Sequence, residues 1–70
     1  MNTTDFNTLT TREAYILKLL TEGYGNSEIA DILYVSVHTV KAHISAILKK
    51  LNARTRTQAV YIALKDGVIK

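Results

Sequence analysis

Seventy residues, 47% of them hydrophobic and 21% charged, make one small globular domain; a chain of this size buries only about 60% of the surface its unfolded form exposes, so there is one core and no second lobe. The absence of cysteine excludes disulfides, zinc–cysteine clusters and thiol nucleophiles, and no apolar run approaches the roughly 20 residues of a membrane span. The formal net charge of +3 matters less for its size than for where the charges sit.

Residues 1–8 are polar and rich in threonine and asparagine, with no basic n-region and no apolar h-region. They read as a frayed lead-in to a domain over residues 9–70, in a protein expected in the cytoplasm. Thr10-Thr11-Arg12-Glu13 fits a capping box, in which a hydroxyl accepts from the amide three residues on and the glutamate reaches back. A first helix is therefore expected over about residues 11–22, with Ile16, Leu17 and Leu20 as its stripe and Gly23 as the left-handed residue that ends it. Glu13 could be read as a general acid, but the cap explains it without a cleft.

Gly25-Asn26-Ser27-Glu28 offers caps to a short second helix over about residues 26–33. Ile29, Ile32 and Leu33 share one face at i, i+3 and i+4, and Ala30 beside them lets another helix come close. Tyr34-Val35 is a tight connector, and Ser36 caps a third helix over about residues 37–51. At about 100° per residue from Val40, its Val37, Val40, Ile44, Ile47, Leu48 and Leu51 fall between about −20° and 80°. The far side holds Ser45, His38, Lys49 and Ala42 between about 140° and 200°, with Lys41 at its rim near 100°. Thr55-Arg56-Thr57-Gln58 reads as a second capping box. It opens a fourth helix that runs to about Asp66 and ends at Gly67, with Val68 and Ile69 folding back over the core. Ala59, Val60, Ile62, Ala63 and Leu64 give that helix apolar surface on more than one side. The fold expected is all-α: a four-helix domain containing a helix-turn-helix.

Residues 1–35 carry a net −3 and residues 36–70 a net +6. Between Ser36 and Arg56 stand Lys41, Lys49, Lys50, Arg54 and Arg56, both histidines and no acid. Such one-sided clustering is the footprint of a polyanion binder, although a merely solvated basic face is the plainer reading of charge alone. The helix pattern adds a second requirement. A helix enters a major groove about 12 Å wide when its leading face is slim and can bond base edges, with positive charge or hydroxyls meeting the flanking phosphates. Ala42 and Ser45 supply the slim face, and Lys41, His38 and Thr39 supply donors.

The runs Leu9-Thr10-Thr11-Arg12-Glu13, Leu17-Lys18-Leu19-Leu20-Thr21-Glu22-Gly23 and Asn26-Ser27-Glu28-Ile29-Ala30 resemble the opening of the LuxR/FixJ/NarL-type DNA-binding domain. The same family is matched by Ser36 through Leu51, with its Thr39-Val40-Lys41-Ala42-His43-Ile44 string, and by Arg54-Thr55-Arg56-Thr57-Gln58-Ala59-Val60. The likeness runs without a gap over residues 8–69. It implies a sequence-specific, double-stranded DNA-binding transcriptional regulator, or the effector domain of a response regulator. Carried over position by position, it implies base contacts from Lys41, Ala42 and Ser45. It implies phosphate contacts from or beside Asn26, Ser36, His38, Thr39, His43, Lys49, Arg56 and Thr57. It further implies a homodimer on DNA through the last helix, at Val60, Tyr61 and Leu64, with RNA polymerase and a receiver or sensor domain as further partners. Many members have a longer polar residue where Ser45 stands, and a serine or proline where Gly25 stands.

No cofactor or metal is expected. His38 and His43 lie about 140° apart on the wheel with no third ligand near them. Tyr15, Tyr24, Tyr34 and Tyr61 do not share a face, so they form no stacking platform for single strands, and some of them are expected at the core edge. No serine–histidine–carboxylate set has catalytic spacing, so no enzyme is expected. The rival from another class is a small helical module that docks on another regulator, with its basic face incidental.

Overall fold

The computed structural model describes residues 9–66. The lead-in expected over residues 1–8, the Gly67 stop and the return of Val68 and Ile69 lie outside the described residues. Four helices follow in chain order: α1 (Thr11–Thr21), α2 (Asn26–Leu33), α3 (Val37–Leu51) and α4 (Arg56–Lys65). Among the described residues there is no strand, and no helix is long and apolar enough to cross a membrane.

Each helix starts where a local side chain takes up its free amides. The Thr10 hydroxyl accepts from the Glu13 N–H at 3.0 Å, and Glu13 Oε1 accepts from the Thr10 N–H at 2.9 Å, a complete capping box. At α2 only the return half exists, because Gly25 has no side chain: its N–H donates to Glu28 Oε1 at 2.8 Å. Ser36 Oγ accepts from the Thr39 N–H at 3.1 Å and opens α3. The box expected at α4 is half made. Thr55 Oγ1 accepts from the Gln58 N–H at 3.0 Å, but Gln58 Oε1 takes the N–H of Arg54, at 2.7 Å, and not that of Thr55. The preceding turn leaves that Arg54 N–H in need of an acceptor, and the glutamine reaches it.

Three of the four helices end in one motif. After α1, Tyr24 N–H bonds Leu19 O and Gly23 N–H bonds Leu20 O, with Gly23 at φ +91°. After α2, Val35 N–H bonds Ala30 O and Tyr34 takes φ +58°. After α3, Ala53 N–H bonds Leu48 O and Asn52 N–H bonds Lys49 O, with Asn52 at φ +57°. This is the Schellman arrangement, which satisfies the last carbonyls and reverses the chain within two residues. Tyr34 is the costly member: the left-handed region disfavours most residues with a Cβ by roughly 1–2 kcal/mol, and asparagine, unlike tyrosine, visits it readily.

The core gathers Ile16, Leu17, Leu19 and Leu20 from α1, Ile29 and Ala30 from α2, Val40, Ile44, Ile47 and Leu51 from α3, and Ala59 and Ala63 from α4. Full burial of each large aliphatic side chain contributes about 1.5–3 kcal/mol. The face of α2 differs from the one expected: Ile29 and Ala30 are buried and Leu33 is half-buried, while Ile32 is exposed. On so short a helix the i and i+4 positions meet α3 and the i+3 position turns past its edge. Ala59 and Ala63, four apart and fully buried, bring α4 close against the core. Tyr15, Tyr24, Tyr34 and Tyr61 are all exposed and none of them packs against the core, although some were expected at its edge; each starts from a position that turns its ring to the outside.

One ion pair ties the first helix to the third. Lys50 Nζ donates to Glu13 Oε1 at 2.7 Å, with 8% of the glutamate side chain and 32% of the lysine side chain exposed. The Lys50 hydrogen bond is the main cause that holds the Glu13 carboxyl below its ordinary pKa of 4.5; the Thr10 N–H helps, and burial opposes it. A depressed carboxylate stabilises the fold fully above its unfolded value and loses that contribution as pH falls through the folded pKa. Glu13→Gln keeps an acceptor for the cap and removes the charge. Urea unfolding should find the variant about 1–2 kcal/mol less stable at neutral pH, a figure reduced by water around Lys50. The gap should close in acid below pH 4.5, where the wild-type carboxyl takes up its proton; a gap of constant size would show that the ion pair contributes nothing.

Candidate nucleic-acid interface

Helices α2 and α3 are joined by Tyr34, Val35 and Ser36, and each residue has one task. Tyr34 makes the left-handed reversal, Val35 packs its side chain on the core, and Ser36 caps the helix that follows. The result is a helix-turn-helix whose second member is 15 residues long. Val40, Ile44, Ile47 and Leu51 bury one side of that helix, and Val37 and Leu48 flank them half-buried.

The five exposed residues of α3 are His38, Lys41, Ala42, Ser45 and Lys49. They occupy one arc opposite the buried stripe, from about 100° to 200° on the helical wheel. Lys41, Ala42 and Ser45, expected at base edges, are thus brought together on the outer face. The face is narrow because Ala42 and Ser45 are small, and α3 carries no acid. Its two lysines are separated along the helix axis, Lys41 in the second turn and Lys49 in the last.

The residues expected at phosphates fall into three groups. Ser36 and Thr39 sit at the start of α3 with their hydroxyls 3.0 Å apart. One hydroxyl proton lies between them, so the pair keeps one for an outside acceptor. Asn26 and Arg56 come from the first residues of α2 and α4, and the Arg56 guanidinium donates to Asn26 Oδ1. Arginine has no acceptor, so the oxygen of Asn26 must face it and the Asn26 amide N–H groups are left outward. Thr57 is exposed beside Arg56. The remaining three lie along α3: Lys49 and His38 on the exposed arc, and His43 half-buried at the margin of the stripe. The structure therefore places the expected residues at the start of α2, along α3 and at the start of α4.

Two of these relations were not visible in the chain's spelling. The Asn26–Arg56 bond joins residues 30 apart, and the Glu13–Lys50 pair joins residues 37 apart. No local pattern announces either. The second one changes the electrostatics: Lys50 belongs to the charge cluster of residues 36–56, yet its ammonium is turned to Glu13. Among the described residues, no three His, Cys, Asp or Glu side chains gather as metal ligands.

Residues 7–63 match the family of bacterial regulatory proteins of the luxR type. The chain belongs to the luxR family. It carries that family's four-helix, helix-turn-helix fold and is a DNA-binding domain of transcriptional regulation. It is 50% identical over 62 residues to the transcriptional regulatory protein DegU of Brevibacillus brevis, a match covering 89% of this chain and 26% of that protein. It is 47% identical over 70 residues to the oxygen regulatory protein NreC of Staphylococcus aureus, covering 99% of this chain and 32% of that protein. The chain thus spans about a quarter to a third of the length of these luxR-type relatives.

The fold makes opposite demands on two alanines, Ala42 on the outer face of α3 and Ala59 on the buried face of α4. Ala42→Leu adds bulk to an exposed position and should change the unfolding free energy by no more than about 0.5 kcal/mol. Ala59→Leu adds the same bulk where α4 meets the core and should cost about 1–3 kcal/mol. Thermal unfolding of both variants checks this, and a large loss from Ala42→Leu would put the proposed face inside the molecule.

Proposed function

We propose that this domain recognises a specific double-stranded DNA sequence by laying the exposed arc of α3 in the major groove. The observation that carries the reading is the coincidence of three properties on one helix side. The arc is free of bulky hydrophobic side chains, it is free of acids, and its hydrophobic back is fixed to α1 and α2. Lys41, Ala42 and Ser45 meet base edges. Lys49, Ser36, Thr39, His43, Asn26, Arg56 and Thr57 meet phosphates on either side. In this reading the domain is a regulator in the cytoplasm and not an enzyme, and it works beside RNA polymerase under a receiver or sensor domain.

The domain acts as a homodimer on DNA through α4. What supports this is the apolar surface that the core leaves outside: Tyr61 is 61% exposed, Leu64 is 55% exposed, and Val60 is half-buried beside them. Lys65 stands over the Tyr61 ring at 5.8 Å. A contact this small holds weakly in free solution and gains from two half-sites on one duplex. The same surface would serve a module that docks on another regulator, and salt separates the two readings. A dimer with about six phosphate contacts gives a log–log salt slope near −5, whereas docking through an apolar patch is insensitive to salt.

Lys41→Ala should lose about 1–3 kcal/mol on the preferred duplex and much less on random DNA, as titration of both by fluorescence anisotropy would read. Lys49→Ala should weaken every duplex alike and flatten the salt slope by about one. The reverse result for the two lysines would exchange their roles. Leu64→Glu should leave binding to a single half-site intact and abolish the gain from a second half-site; undiminished cooperativity would remove α4 from the dimer contact.

A further inference from the structure

We infer that His38 is a specificity-determining residue, reading the major-groove edge of a guanine, in addition to Lys41, Ala42 and Ser45. The inference rests on the DNA-binding reading above and goes beyond it, since the family pattern sets His38 with the phosphate contacts.

The argument is positional. Of the five exposed residues of α3, His38 lies near the middle of the arc, at about 160°, while Lys41 lies at its rim, near 100°. His38 and Ser45, at about 140°, are the two residues most central in angle, and Lys49 follows at about 180°. His38 and Lys49 differ along the axis: Lys49 is in the last turn, and His38 is the second residue of the helix. At about 1.5 Å per residue they are roughly 16 Å apart, more than the groove's width of about 12 Å. A recognition helix presents its N-terminal residues to base edges. His38 is then the deep residue, and Lys49 emerges at the phosphates.

The side chain is also available. Ser36 and Thr39 on either side of it bond each other, and no hydrogen bond or ion pair joins the exposed imidazole to the described residues. Its neighbours on the arc, Ala42 one turn on and Ser45 two turns on, are short enough to let the ring reach past them. An imidazole N–H is a single donor. Guanine offers it two acceptors side by side, N7 and O6, whereas adenine sets an amino group beside N7. Guanine is therefore preferred at the base pair that His38 meets.

The test uses the whole chain and duplexes that the wild-type protein recovers from a random pool. Each base pair of the recovered site is replaced in turn, and affinities are measured for wild type, His38→Ala and His38→Gln at two salt concentrations. The wild type should prefer guanine at one pair about tenfold, a pair unaffected by Lys41→Ala. His38→Ala should lose that preference, bind the recovered site about tenfold more weakly, and keep its affinity for random duplex and its salt slope. His38→Gln should turn the preference toward adenine, which glutamine bonds through N6 and N7. Unchanged thermal midpoints show that both variants are folded. If His38→Ala weakens all duplexes equally and lowers the slope, His38 is a phosphate contact and the inference fails. If the base profile is unchanged, it fails as well. A wild-type chain with no sequence-selective, salt-dependent binding overturns the DNA reading itself, and the inference with it.

Discussion

The burial of Val40, Ile44, Ile47 and Leu51 constrains everything else about the interface. These four side chains fix the rotation of α3 about its axis, because turning the helix by even a quarter turn would bring Lys41 or Lys50 toward the core and expose two isoleucines. Once rotation is fixed, the opposite arc has no freedom in what it presents. Packing and recognition are thus two consequences of one periodicity. The stability of the core acts at the surface as precision: a face held by interdigitated aliphatic side chains does not roll, so donors at positions 38, 41 and 45 keep their spacing.

The turns set the other two coordinates of α3, its direction and its distance from α2. Tyr34 reverses the chain in the left-handed region, Val35 anchors the reversal in the core, and Ser36 starts the next helix at once. A glycine at 34 would make the same reversal with less strain. The tyrosine instead puts a ring that is 95% exposed at the turn. Nothing in the described residues packs on that ring, and the fold gives no reason for it.

The elements were legible because their signals are local. Thr10 with Glu13, Ser36 with Thr39 and Thr55 with Gln58 each lie within one helical turn, and so do the stripes they introduce. The four helices accordingly fall within a residue or so of the bounds read from the sequence. The outer face of α3 was legible for the same reason, since a wheel needs only the helix itself. What escaped was tertiary. Gln58 bonds Arg54 because of a turn that no propensity describes. Ile32 is exposed because the width of the α2 contact depends on where α3 lies. The partners of Glu13 and Asn26 come from 37 and 30 residues away, and each looked complete with a local role.

The Glu13–Lys50 pair also bears on how charge should be counted in a small DNA-binding domain. Two cations one residue apart, Lys49 and Lys50, are equivalent in any sum over the sequence. One turn angle of about 100° separates them, and it sends Lys49 to the exposed arc and Lys50 toward α1. Within the fold Lys50 faces an acid from the negative half of the chain and compensates it at short range, where screening by salt is weakest. The field that a polyanion meets is therefore not the total of residues 36–56 but the part of it that no acid has already answered. In the same way Arg56 is held by a neutral partner, Asn26, which positions its guanidinium and leaves its charge in place. Ion pairing removes a cation from the outward field, whereas hydrogen bonding to an amide aims it, and this domain uses the first to join α1 to α3 and the second to hold the starts of α2 and α4 together.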